Sequence, residues 1–157
     1  MGRNPTISDL KHPWMFLALG AGSGLAPKAP GTFGTAAFLL VAPWFVAWSL
    51  PLQLVCVLVL CVLGTLAADR ATKRLGVHDH GAIVIDEWAG MAIALMAATS
   101  AFEIAVAFVA FRIFDIIKPP PIGWVDQRVQ GGLGIMLDDL IAGVFALPVV
   151  MLASGIF

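Results

Sequence analysis

Five apolar stretches, residues 36–49, 52–69, 84–100, 102–117 and 136–156, dominate the chain and leave room for little but helices. A backbone facing lipid has no water to satisfy its amides, so each stretch must close its own hydrogen bonds, which a helix does and an open strand does not. Of the 157 residues 60% are hydrophobic and only 12% charged, a balance far from that of soluble domains. The expectation is an all-α fold: a compact, membrane-embedded bundle of about five main hydrophobic helices and a short N-terminal interfacial helix, forming a single domain over residues 1–157. A 16-residue helix is about 24 Å long against ~30 Å of hydrocarbon, so some of the five are expected not to span fully.

The breaks between stretches are sharp. Ser49-Leu50-Pro51 and Thr99-Ser100 read as tight hairpins, and Lys118-Pro119-Pro120-Pro121 as a hard stop, because proline removes a backbone donor. Pro43 is expected to kink the first stretch. Residues 14–35, WMFLALGAGSGLAPKAPGTFGT, read as a short interfacial helix followed by a Gly/Pro-rich loop, and glycine interrupts its apolar part too soon for a cleaved secretory leader. The tryptophans 14, 44, 48, 88 and 124 read most simply as interface anchors. Cys56 and Cys61 lie five apart on different helix faces and read as packing residues. With a net charge of -1 and no basic stripe, the electrostatic footprint of a nucleic-acid binder is missing.

Charge placement orients the bundle. With the N-terminus in the cytoplasm, Arg3, Lys11, Lys28, Arg70, Lys73, Arg74, Lys118 and Arg128 all fall on the inner side, as the positive-inside rule requires. Asp69, Asp79, Asp86, Glu87, Asp115, Asp126, Asp138 and Asp139 fall at the same helix ends and joints, and Glu103 lies at the far end. The pairs Asp86-Glu87 and Asp138-Asp139 read as two acidic helix starts. A helix start rewards one acid by about 0.3–1 kcal/mol, and Asp115 sits at a helix end whose dipole disfavours it, so capping does not explain the set. Arg112, Asp115 and Lys118 recur every three residues; the plainest explanation is an internal ladder of ion pairs. The alternative is chemistry: several hard carboxylates suit Mg2+, and nearby cations suit phosphoryl transfer.

Two further segments are ambiguous. GSGLAPKAPGTFGT, with Lys28, Thr32 and four glycines, could wrap a phosphate with backbone amides, yet it lacks Walker A spacing and the same composition makes ordinary turns. VHDHG lacks the further ligands a zinc site needs, which leaves a polar loop or an acid/base role.

Four strings in order, GSGLAPKAPGTFGT, VHDHGAIVIDEWAG, FRIFDIIKPPPIGWVDQ and GGLGIMLDDLIAG, resemble the successive motifs of the bacterial phosphatidylglycerophosphatase A family. The resemblance implies an integral, magnesium-dependent lipid phosphatase of the cell inner membrane, with its active site facing the cytoplasm. Such an enzyme converts phosphatidylglycerophosphate to phosphatidylglycerol and phosphate in phospholipid biosynthesis. Carried over by position, the family's acidic signature falls on Asp79, Asp86, Glu87, Asp115, Asp138 and Asp139, and we assign Asp86, Glu87, Asp115, Asp138 and Asp139 as candidate magnesium ligands. The family's basic partners fall on Arg112 and Lys118 and its loop on Lys28 and Thr32, which we assign to substrate binding, and we assign the catalytic roles to Asp79 or His80 as acid/base and to Asp139. The implied partners are the phospholipid substrate and the bilayer; small-residue spacings such as GAGSG also permit a homo-oligomer. The competing function is an ion-coupled transporter using intramembrane carboxylates, which would string its ionisable groups across the membrane depth rather than gather them at one side.

Overall fold

The computed structural model describes residues 2–155, which form α-helices and short 3-10 helices with no strand among them. The α-helices are α1 (Pro13–Ala18), α2 (Pro30–Leu39), α3 (Ala42–Val46), α4 (Leu50–Leu75), α5 (Ile85–Leu95), α6 (Ala101–Ile117), α7 (Ile122–Arg128) and α8 (Gly131–Ala153). The expected all-helical fold is present. α4 and α8 are long and apolar enough to cross a membrane, and α4 turns Leu54, Val55, Leu58, Val59, Val62 and Leu66 outward, as a lipid-facing helix does.

Several elements differ from the sequence expectation. The stretch 36–49 is not one helix: α2 ends at Leu39 and α3 begins at Ala42, because Pro43 cannot donate to the carbonyl four residues back. The stretch 84–100 supplies only α5, 11 residues and so about 16 Å long. α5 is packed by α2, α3, α4, α6 and α8, which makes it the interior helix of the bundle rather than a lipid-facing span. The short helix α1 is present and buries Met15 and Ala18 against Ala67, Ala68 and Ala71 of α4. Asp138 and Asp139 do not start a helix, since α8 begins at Gly131. Its first residues are glycines that propensity assigns to a loop, but a Cβ on Gly132 would strike the Thr65 carbonyl of α4. Close packing decides against propensity there.

Trp88 is also not an interface anchor. Its Nε1 donates to the Gly34 carbonyl at 3.0 Å and its ring packs on Phe38, tying α5 to α2. Trp44, Trp48 and Trp124 stay exposed. Cys56 and Cys61 are free and half-buried.

α5 and α8 approach closely through Gly90 and Gly143. A Cβ on Gly90 would fall 2.5 Å from both the Asp139 carbonyl and Cε2 of Phe111, and one on Gly143 would meet the Gly90 carbonyl. This contact fixes how far Asp86 and Glu87 on α5 lie from Asp139 on α8. At the same end of the bundle Asp9, only 3% exposed, accepts from Arg3 Nη2 at 2.6 Å, from the Thr6 amide at 2.9 Å and from Arg74 Nε at 3.2 Å. The clamp ties the segment before α1 to the end of α4.

Gly90→Val is therefore expected to lower thermal stability in detergent by roughly 1–3 kcal/mol through overpacking, with activity falling in parallel as α5 moves away from α8. The hydrogen bond from Arg3, then those from Thr6 and Arg74, hold the Asp9 carboxyl well below the usual carboxylate range. A depressed acid contributes stability that is complete above its unfolded pKa, near 3.9, and is lost as pH falls towards the folded value. Melting curves from about pH 7 down to 3 should show Asp9→Asn less stable than wild type near neutrality, with the two converging below about pH 4.

Candidate metal and phosphate site

The joints 76–84 and 118–130, the N-terminal end of α5, the C-terminal end of α6 and the first turns of α8 all lie at one end of the bundle. Asp86 and Glu87 occupy the first turn of α5, as the sequence suggests. Asp138 and Asp139 enter two turns into α8, so they reach this end from within the helix wall. Asp86 and Glu87 are 8% exposed, Asp138 6% and Asp139 3%. Carboxylates at that depth need a counter-charge, because desolvating an unpaired one is prohibitive.

Two cations are present, and their partners can be traced. Arg112 pairs with Asp115 one turn along α6, lies 3.9 Å from Glu87, and reaches the hydroxyls of Thr32 and Thr35 on α2 at 3.4 Å. Lys118 adopts a left-handed conformation at φ 47° as the cap of α6. That turn carries its Nζ away from Asp115 to Asp126 and Asp138, at 2.7 Å from each. The internal ladder of Arg112, Asp115 and Lys118 is thus only half formed. Asp115 and Asp138 are committed to ion pairs, whereas Asp86 and Asp139 have no cationic partner among the described residues.

Asp86, Glu87 and Asp139 come together. Each offers an oxygen, and these three atoms lie within 4.8 Å of one another. Asp86 Oδ1, Glu87 Oε2 and Asp139 Oδ2 are buried with no hydrogen-bond partner among the described residues. Three buried acids that each bring an oxygen to a common point and each keep an oxygen without a partner, with Arg112 the one cation paired to any of them among the described residues, fit a divalent cation of the Mg2+ type. The donor set contains no nitrogen or sulfur that would favour a softer ion.

The remaining sequence candidates are spread around this centre. Thr32 lies in the first turn of α2 beside Arg112. Lys28 is exposed on the preceding loop and makes no ion pair among the described residues. Asp79, exposed at φ 50°, lines a crevice with His78 and Asp126. His80 Nδ1 accepts from the Ala82 amide at 3.2 Å, and its Nε2 faces Asn4 at 3.3 Å. His78 accepts the Gly131 amide at 2.9 Å and so serves the start of α8. Three residues were not singled out from sequence: Asp126 shares Lys118, Thr35 shares Arg112, and Gly31 lets α2 approach the acids. A Cβ on Gly31 would strike Glu87 Oε1 and lie 3.4 Å from the Arg112 guanidinium nitrogens. Asp126 was the easiest to find, eight residues after Lys118; the other two carry no signal beyond their place in a Gly-rich loop.

Fold and site together define a helical membrane protein built around a buried carboxylate centre with two attendant cations. The sequence pattern of phosphatidylglycerophosphatase A matches residues 16–154. Phosphatidylglycerophosphatase A of Escherichia coli K12 is 46% identical over 142 residues, covering 87% of this chain and 81% of that protein. Phosphatidylglycerophosphatase A of Haemophilus influenzae is 40% identical over 145 residues, covering 90% and 89%. No solved structure matches. The chain belongs to the phosphatidylglycerophosphatase A family, and through it to the phosphatase hydrolases.

The nearest obstacle to a Cβ on Gly31 is the movable end of a glutamate. Gly31→Ala is therefore expected to change thermal stability by less than about 1 kcal/mol while lowering phosphatase turnover at least tenfold, read by paired melting and phosphate-release assays. Loss of both together would assign Gly31 to packing alone.

Proposed function

We propose that this chain is a magnesium-dependent phosphomonoesterase that converts phosphatidylglycerophosphate to phosphatidylglycerol and phosphate. It acts at the cytoplasmic face of the bacterial inner membrane, in glycerophospholipid biosynthesis. The observation that carries the reading is the buried triad Asp86, Glu87 and Asp139, with three unpaired oxygens and too little positive charge around it. The substrate follows the names of the two relatives at 46% and 40% identity. The cytoplasmic face is supported by Arg3, Arg70, Lys73, Arg74 and Lys118, which crowd the end of the bundle that holds the triad. Acids gathered at one end also suit an interfacial headgroup better than an ion path across the membrane.

Asp86, Glu87 and Asp139 would hold the Mg2+, whose chemistry is to neutralise charge on the phosphoryl oxygens and to acidify a water. Arg112 would orient the phosphate. Its guanidinium borders both the triad and the Thr32 and Thr35 hydroxyls, so it can donate to equatorial oxygens without leaving Asp115. Lys118 would fix Asp138 and Asp126 and add positive charge beside the phosphate. Asp79 and His80, on the joint before α5, are the acid/base candidates: the water loses a proton and the departing glycerol oxygen gains one. With Nδ1 accepting from Ala82, a neutral His80 carries its proton on Nε2. Water is the nucleophile in this scheme, with Asp139 the catalytic carboxylate facing it.

Asp86→Asn and Asp139→Asn should each abolish phosphate release from phosphatidylglycerophosphate while leaving the protein folded in detergent. Chelation should silence the wild type and added Mg2+ should restore it. Normal turnover in both variants, or full activity in chelator, would overturn the assignment. Lys118→Met should retain a fraction of the activity, reduced roughly 10–100-fold, as expected for a residue that orients ligands and charge.

A further inference from the structure

An apolar groove runs along the outward face of α6. One part, about 320 Å³, is bounded by Ala105, Val106, Val109, Ala110 and Ile113, with Val149 of α8 forming its far wall. The next part, about 290 Å³, shares Val109 and Ile113 and continues through Phe108 and Arg112 to Ile116 and Ile117. The two form one surface, and Ala105 to Ile117 is about 18 Å of helix.

Shape alone would not single out this groove. Another of about 290 Å³, lined by Phe38, Val41, Trp44, Phe45, Trp48 and Cys56, is wholly apolar and reaches no charged side chain. The α6 groove differs at Arg112, which lies within its second part. There the guanidinium nitrogens turn inward to Asp115, Glu87, Thr32 and Thr35, and the buried Nε has no partner among the described residues. Arg112 is thus a wall of the lipid-facing groove and a member of the acid cluster at once. The cations at the end of α4 offer nothing comparable: Lys73 is paired with Asp69, Arg74 with Asp9, and Arg70 lies over the Trp14 ring.

We propose that this groove seats an acyl chain of the phospholipid whose phosphate enters the site, so that substrate arrives laterally over α6. The inference rests on the lipid-phosphatase reading and adds the route and the tail-binding surface. A guanidinium followed, from Arg112 back to Ala105, by about 10 Å of aliphatic wall is complementary to a molecule with a phosphate at one end and hydrocarbon behind it. The tail keeps its depth in the bilayer while the headgroup turns inward to the triad. A water-soluble phosphomonoester would use Arg112 and have no use for the groove.

The test uses the full chain, purified in detergent, with phosphate release measured from dioleoyl phosphatidylglycerophosphate and from its dibutyryl counterpart. Ala105→Trp and Val109→Trp fill the groove at exposed positions. Each should raise KM for the dioleoyl lipid roughly five- to twentyfold, the loss of one or two methylene contacts, with kcat and the dibutyryl KM unchanged. Val59→Trp, equally bulky on the exposed face of α4, should behave as wild type. Ile113→Ala, which removes a wall instead of adding bulk, should raise the dioleoyl KM alone, and it decides the matter if the tryptophan variants fail to fold. Equal effects on both lipids, no effect on either, or the same rise from Val59→Trp would overturn the groove while leaving the phosphatase reading intact. A change of oligomeric state in the tryptophan variants, with both lipids slowed alike, would assign the face to contact between copies and also overturn it. A wild type that releases phosphate from neither lipid would overturn the phosphatase reading, and the groove with it.

Discussion

The glycine-to-glycine contact between α5 and α8 is the constraint on which the site depends. Gly90 and Gly143 let two backbones approach where any Cβ would collide with a carbonyl. That approach brings Asp86 and Glu87, at the start of one helix, up to Asp139, two turns inside another. α5 can make this contact because it is short, rich in small residues and enclosed on all sides by other helices. Tight packing in an interior without water also gives the carboxylates their character: they are too deep to be solvated and too close together to be indifferent to one another.

Charge pairing divides the acids into two groups. Arg112 takes Asp115 and borders Glu87, and Lys118 takes Asp126 and Asp138. Asp86 and Asp139 are left without a cationic partner among the described residues. Fixed cations thus keep part of the acidic shell in place, while Asp86, Glu87 and Asp139 each keep a buried oxygen with no partner among the described residues. The left-handed cap at Lys118 has a direct role here, because a continued helix would have aimed the ammonium along α6 and away from α8.

Much of the site was legible along the chain, since its parts are local. Asp86-Glu87 at a helix start, Asp115 three residues after Arg112, and the proline stop after Lys118 follow from short-range rules. What failed were inferences that propensity makes and packing reverses. Gly131, Gly132 and Gly134 look like a loop, but they are the first turn of α8, where Gly132 permits the crossing with α4 and Gly134 the close approach of Val129. Trp88 looks like a membrane anchor, but its indole is spent on the Gly34 carbonyl. Thr35 and Gly31 were invisible because their significance is their distance from Arg112 and Glu87, more than fifty residues away in sequence.

Hydrophobic content, the spacing of breaks and the side on which charges collect settled the helical class, the membrane setting and the set of acids from which a site would be drawn. These are properties of segments, governed by transfer free energy and local backbone chemistry, and a chain carries them wherever it folds. Which three carboxylates converge, which are neutralised by arginine or lysine, and which helix face joins the lipid surface to the acid cluster were decided only in three dimensions. Each is set by contacts between residues distant in sequence, and hydropathy and spacing along one strand of residues contain no measure of that distance.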